Sequence, residues 1–243
     1  MSAASVVFLP GLLCDGRLFA KQTSPLERPW HIADLTKSKS IEGMARNVLS
    51  TAPERFAAVG LSMGGIVAFE MLRQAPGRIS HLMLLDTTPF ADPPDRQAMR
   101  LAQIAEASAG GLRELAAESL KPMYLSEAHR EDKALLDEIL DMAMGLGPRV
   151  FENQSLALRE RPDSVATLKH ISVPTAIVCG EEDQLCTPDT HKLMAQAIPG
   201  ATLHILKDCG HMATMEQPDR VNAIMADLLE RTETKRRRRN ETE

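Results

Sequence analysis

Ser62 lies between two glycines in the run Gly60-Leu61-Ser62-Met63-Gly64-Gly65. The apolar stretch Phe56-Ala57-Ala58-Val59 precedes it, and a helix-like stretch, Ile66-Val67-Ala68-Phe69-Glu70-Met71-Leu72, follows it. A serine on such a strand–turn–helix elbow sits in strained backbone geometry, and the residues two before and two after it must be small. Gly60 and Gly64 meet that need. The strain lifts the hydroxyl above the strand end, where a base can reach it. The chemistry this permits is attack on a carbonyl carbon. Serine is a poor nucleophile at neutral pH, so it needs a base in hydrogen-bond reach and an acid to orient that base.

On such an elbow the partners follow in the order acid, then histidine. Asp183 follows the apolar strand Thr175-Ala176-Ile177-Val178-Cys179 and the turn Gly180-Glu181-Glu182, which places a short carboxylate at a strand's carboxyl end. Glu181, Glu182 and Asp86 are the alternative acids; Asp86 ends the preceding strand. His211, in Cys209-Gly210-His211-Met212, follows the strand Thr202–Leu206 and precedes the last helix. Gly210 is expected to let the backbone turn sharply enough to aim the ring at Ser62. The other histidines fit less well. His204 is inside a strand; His31, His81, His170 and His191 lie at element starts or on a helix; His129 is in the long helical interval.

A developing oxyanion needs two backbone N–H donors. Met63, next to the nucleophile, supplies one. The loop after the first strand, Pro10-Gly11-Leu12-Leu13-Cys14-Asp15-Gly16, supplies the other, with Leu12 as donor and Gly11 permitting the close turn. Cys14 reads as a small buried thiol rather than a second nucleophile.

The elements that must position these residues alternate. Strands are expected at Ser5–Leu9, His31–Asp34, Phe56–Gly60, His81–Asp86, Thr175–Cys179 and Thr202–Leu206. Helical patterns cover Ile41–Leu49, Met63–Gln74, Pro188–Ala197 and Pro218–Arg231. Thr187-Pro188 reads as an N-cap with proline in the first turn, and Pro218 opens the last helix. Such alternation argues for an α/β fold, an open, mostly parallel sheet of about six strands with helices on both faces. It breaks between Asp86 and Val173, in a Leu-, Ala-, Met-, Glu- and Arg-rich helical interval. The expected organisation is a core of residues 1–88 and 171–232, an inserted helical cap over 89–170, and a charged, disordered tail over 233–243. Most of the cap arginines (96, 100, 113, 130, 149, 159, 161) are expected on solvated faces. A lesser role is recognition of a substrate carboxylate or an acidic carrier protein.

The 243 residues suit one large domain. Aromatics are scarce, at six Phe, one Trp and one Tyr, so the thirteen Met must fill part of the core. A net charge of −5 gives no reason to expect nucleic acid or an anionic membrane as partner. The four cysteines contain no C-x-x-C pair and no metal-ligand spacing, so no metal is expected. The amino-terminal run lacks a basic region and stops at Pro10, which reads as a strand and not a leader. No apolar run approaches membrane-span length. These features point to a cytoplasmic protein with reduced thiols.

Together these residues resemble the α/β-hydrolase fold superfamily, over nearly the whole chain. The resemblance rests on Leu9-Pro10-Gly11, the elbow at Ser62, Pro174 to Asp183, and Cys209-Gly210-His211 with Glu216-Gln217-Pro218 behind it. It implies a cofactor-free serine hydrolase acting on esters, thioesters, lactones or amides, with Ser62, Asp183 and His211 as triad. Many relatives carry His-Gly where this chain has Pro10-Gly11. The full fold also has two strands before the oxyanion strand, and this chain has no room for them. A six-stranded sheet then leaves the His31–Asp34 strand at an edge, to be protected or paired with a second copy, so monomer or homodimer is expected. The expected substrate is a small-molecule ester. Alternatives are C–C bond hydrolysis, acyl transfer or perhydrolysis by the same serine, or a ligand-binding receptor with vestigial activity. A haloalkane dehalogenase is excluded, because its nucleophile is Asp.

Overall fold

All six apolar runs are strands in the computed structural model, which describes residues 5–120 and 123–240, with no description of the side chains of 119–120 and 231–240. The strands are β1 (Ser5–Leu9), β2 (Trp30–Ile32), β3 (Phe56–Leu61), β4 (Ile79–Leu85), β5 (Thr175–Gly180) and β6 (Thr202–Leu206). They form one parallel sheet in the order β2-β1-β3-β4-β5-β6. β2 is thus an edge, as expected, but it ends before Asp34. There the Asp34 carboxylate accepts from Thr36 N at 3.0 Å and Thr36 Oγ1 at 2.6 Å, a local turn that ends the pairing. β4 stops at Leu85 because Asp86 leaves the strand with φ 46°.

Alternate residues of each strand feed two cores. Val7, Leu9 and Ala58 face α1 (Ile41–Thr51), α2 (Met63–Gln74) and a helix at Pro188–Ala197. Val6, Phe8, Ala57 and Val59 face the carboxyl-terminal helix through Val221, Met225 and Leu228. β3, β4 and β5 are buried along their whole length, as a parallel sheet covered on both faces requires.

The interval between β4 and β5 is helical. It contains α3 (Pro94–Glu106), further helical turns, and α4 (Lys133–Arg159). α4 is bent at Gly147 (φ 78°), where Pro148 follows and cannot donate to the preceding turn. Leu112, Leu115, Leu140 and Phe151 close over Leu13, so this segment lies on the loop that follows β1. Past the bend, Ala157 and Leu158 join the core of the α1/α2 face.

One helix start matches expectation in position but not in its bonding, and one helix end differs. Thr187 occupies the N-cap of α5 (Pro188–Ala197), yet its side chain makes no capping bond. Its carbonyl instead accepts from His191 Nδ1 at 3.0 Å. The last helix, α6, runs through the basic residues to Asn240 instead of stopping near Arg231. Lys and Arg are good helix formers, and no glycine or proline stops the turn there. Of the expected tail, 241–243 lie outside the described residues.

Candidate active site

The elbow forms because three close approaches leave no room for side chains. A Cβ on Gly60 would lie 2.6 Å from the carbonyl carbon of Gly64, and one on Gly64 only 1.9 Å from the carbonyl oxygen of Leu9. A Cβ on Gly65 would meet Thr87 Oγ1 at 2.5 Å. The first turn of α2 therefore sits directly on β1 and the end of β4. Ser62 takes φ 53° and ψ −114°, a conformation that costs a non-glycine residue about 1–3 kcal/mol. It is held there by its neighbours. Ser62 N donates to Leu85 O at 2.9 Å. Ser62 O accepts from Gly65 N at 3.0 Å and from Thr87 Oγ1 at 2.7 Å.

Asp183 and His211 meet each other, and His211 lines one cavity with Ser62. His211 Nδ1 lies 2.9 Å from Asp183 Oδ2. The other oxygen, Oδ1, accepts from Leu185 N at 2.8 Å and Cys186 N at 2.9 Å. Burial alone would raise the Asp183 pKa. The His211 charge and the three hydrogen bonds outweigh it and hold the carboxyl below its ordinary range. With Nδ1 engaged by a carboxylate, Nε2 is the ring nitrogen left for a proton from elsewhere. Tyr124 stacks on the ring at 5.8 Å between centroids.

Gly210 serves a different purpose from the one expected. Its φ is not in the left-handed region. A Cβ there would meet Tyr124 O at 2.6 Å and Ser126 N at 2.7 Å. The glycine thus lets the histidine loop pass under residues 124–126, and His211 N donates to Tyr124 O at 2.7 Å. Gly11 likewise is not the strained residue of its turn. Leu13 is, at φ 54°. A Cβ on Gly11 would rest against Leu61 Cδ2 at 3.4 Å and Ser62 Cβ at 3.5 Å, so its bareness keeps the space next to the serine open. Leu13 N is bound to Gln154 Oε1 at 2.9 Å. Among the described residues, neither Leu12 N nor Met63 N has an acceptor.

Several supporting residues take roles that the sequence did not assign to them. Glu216 is buried, and its carboxylate accepts from Ser126 N, Gly210 N and Met212 N at 2.9–3.1 Å. It fixes both sides of the histidine loop. Asp86 is buried and accepts from Gly180 N at 3.0 Å and Ala213 N at 3.2 Å. Burial, with the Asp183 charge adding to it, pushes its pKa well above the ordinary range, opposite in direction to that of Asp183. His191 Nε2 accepts from Thr87 N at 3.1 Å, which leaves Nδ1 as the donor to Thr187 O. Burial lowers its pKa, and it sits neutral beneath Thr87. Gln154 reaches Leu13 from 141 residues away and donates to Leu35 O through Nε2 at 3.3 Å. Glu216 had entered only as part of the family resemblance, and Asp86 as an alternative acid to Asp183. His191 and Gln154 depend on contacts that no local pattern encodes.

A cavity of about 390 Å³ opens over these groups, lined by Ser62, His211, Leu12, Tyr124 and residues of α3. Two metal-like donor sets occur nearby, Asp183/Cys186/His211 and Asp86/Cys179/Asp183. Their donors are already engaged or disfavoured: Asp183 is bound to His211, both Asp86 oxygens accept from backbone amides, and burial pushes the Cys179 and Cys186 thiols up. Cys14 is pushed to about 12 by burial, so it too stays a neutral thiol. Arg113, Arg130 and Arg149 are exposed as expected, but Arg100 and Arg161 are buried on Asp92.

The family model described as "Alpha/beta hydrolase family" matches residues 6–224. The chain belongs to that family. Similar curated proteins are hydrolases. A 2-hydroxy-6-oxononadienedioate/2-hydroxy-6-oxononatrienedioate hydrolase of Pseudomonas putida is 27% identical over 188 residues, 73% of this chain and 63% of that protein. A pimeloyl-[acyl-carrier protein] methyl ester esterase of Aromatoleum aromaticum is 23% identical over 219 residues, 83% of this chain and 84% of its own length. Among solved structures, a thermophilic esterase from Thermogutta terrifontis with malate bound superposes with TM-score 0.87 at 26% identity, covering 95% of this chain and 90% of that one. No helix among the described residues is long and apolar enough to cross a membrane.

Proposed function

We propose that the protein is a serine hydrolase that cleaves a carboxylic ester, thioester or lactone of a small to medium, largely apolar substrate through an acyl-enzyme. The observation that carries this reading is the His211–Asp183 hydrogen bond of 2.9 Å in the cavity that also receives Ser62 from its strained elbow. In this scheme Ser62 Oγ attacks the carbonyl carbon while His211 Nε2 takes its proton. Asp183 holds Nδ1–H and stabilises the imidazolium. The amides of Leu12 and Met63 receive the oxyanion, each worth about 3 kcal/mol in the transition state. His211 returns the proton to the leaving group, and water, activated in turn by His211, releases the acid and frees Ser62. The helical segment within 89–170 acts as the cap that shapes the acyl pocket.

A second reading keeps the serine and changes the bond cleaved, for the Pseudomonas putida relative is named for an oxo-dioate and not for an ester. Turnover of p-nitrophenyl esters of graded chain length separates the two. Fluorophosphonate should label the native protein, and Ser62→Ala should abolish both labelling and turnover. Persistent labelling of that variant would contradict the assignment, and labelling without turnover of any ester would favour the second reading.

A further inference from the structure

Arg96, Arg100 and Arg161 line the same cavity as Ser62 and His211. All three converge on one carboxylate, Asp92, whose side chain is wholly buried. Arg161 Nη1 lies 2.6 Å from Asp92 Oδ1. Arg100 Nε pairs with Oδ2, and Arg96 Nε stands 3.9 Å from Oδ1. Three guanidiniums share one counterion, which leaves an excess of two positive charges. Asp92 lies behind the lining, and the one acid in the lining, Glu106, is exposed, where water screens it.

A buried cation is costly unless it is paired. Burial, together with repulsion from Arg100 and Arg96, lowers the Arg161 pKa in spite of Asp92. The group is therefore short of negative charge. Part of it is committed to the fold: Arg161 donates Nε to Phe90 O at 2.8 Å and Nη1 to Leu158 O at 3.2 Å. The rest is not. Among the described residues, Arg96 and the terminal nitrogens of Arg100 donate no hydrogen bond. These donors also stand near the reacting groups. They line one cavity with Ser62, His211, Cys186 and Tyr124, whose ring stacks on His211.

We propose that Arg96 and Arg100 form an anion subsite, and that the substrate carries a carboxylate at the end remote from the bond that is cleaved. The inference rests on Ser62 being the nucleophile. The planar fork of a guanidinium matches a carboxylate, and charge-assisted bonds of this kind are about twice as strong as neutral ones. Arg96 is partly exposed, but Arg100 is too buried to meet the surface of an acidic carrier protein, at 7% exposure. Both are met together only from the cavity, so a small acid fits the pair and a protein surface does not. The substrate class is a half-ester of a dicarboxylic acid, with an apolar chain between the two carbonyl groups.

The experiment compares kcat/KM for mono-p-nitrophenyl esters of succinic to suberic acid with p-nitrophenyl alkanoates of equal length. At the best length the half-ester should exceed its neutral counterpart by about tenfold or more, the worth of one charge-assisted bond. Arg96→Gln should lower that acid-to-neutral ratio by a similar factor, and Arg100→Lys, which keeps a cation beside Asp92, should lower it too. Arg96 makes no structural hydrogen bond, so its variant should fold, which circular dichroism verifies. Equal rates at every length, with Ser62-dependent turnover of the neutral esters, overturn the subsite and leave the hydrolase reading standing. Absence of turnover in both series, with Ser62 unlabelled, overturns both.

Discussion

Asp183 keeps its charge in a buried site because every acceptor it offers is filled. Oδ1 is held by Leu185 N and Cys186 N, and Oδ2 by His211 Nδ1. Replacing it with Asn keeps the shape and one acceptor but removes the charge that fixes the imidazole tautomer. Asp183→Asn should therefore lower kcat by about 10³- to 10⁴-fold, with KM much less affected. Steady-state kinetics on the best ester checks this, and a loss under tenfold would remove Asp183 from the catalytic group. Glu216 works differently, because it meets only backbone amides of the histidine loop and of residue 126, and His129. Glu216→Gln presents an NH₂ group to an N–H donor that had an oxygen, at a cost of about 1–3 kcal/mol. Fluorophosphonate labelling of Ser62 should slow as the His211 loop loosens, and urea unfolding should show the lost stability.

The elements that hold these groups are tight where the elbow crosses the sheet. Gly64→Ala would place a methyl group 1.9 Å from Leu9 O, so β1 or α2 must move. Neither end is a flexible side chain, and the loss should be about 3 kcal/mol or more, beyond ordinary overpacking. Denaturant unfolding checks it; a change within experimental error would mean that the elbow shifts freely. This crossing was readable in the sequence, because a serine between a strand and a helix needs small residues on both sides only where the chain turns this tightly. The six strands were legible from their apolar runs, and the edge position of β2 followed from the family resemblance. Legibility failed where one residue type serves several ends. Gly210 promised a turn and instead gives passage under residues 124–126. Thr187 is the expected N-cap residue, but its side chain makes no capping bond and its carbonyl accepts from His191. Arg100 and Arg161 looked like solvated charges, because their counterion Asp92 lies in a loop with no periodicity to mark it. Gln154 and Asp86 act over long sequence separations, which a local reading does not reach.

At the scale of the molecule, Asp86 joins three segments: it follows the carboxyl end of β4, and it binds Gly180 at the carboxyl end of β5 and Ala213, two residues after His211, at the start of a short helix. Asp86 and Asp183 also give the pH dependence of stability two opposing limbs. Asp183 has a lowered folded pKa, so its contribution is present above the unfolded value of 3.8 and is lost as pH falls through the folded one. Asp86 has a raised folded pKa, through burial and the charge of Asp183. Between 3.8 and that raised value the folded state binds more protons than the unfolded state, so stability falls as pH rises. Cys179, Cys209 and Glu216 lie within the same field, but the two thiols are held neutral by burial. Asp86→Asn removes the ionisable group and keeps an acceptor for one of the two amides. Its stability relative to the native protein should therefore improve as pH rises above 3.8, by up to about 1.4 kcal/mol per pH unit, and level off past the folded pKa of Asp86. Urea unfolding of both proteins from weakly acidic to weakly basic pH measures that difference directly, with other titrations largely cancelling. A difference that stays constant across the range would show that Asp86 ionises in the folded protein as it does in the unfolded chain, and the proton assigned to the Asp86–Asp183 pair would have to be withdrawn.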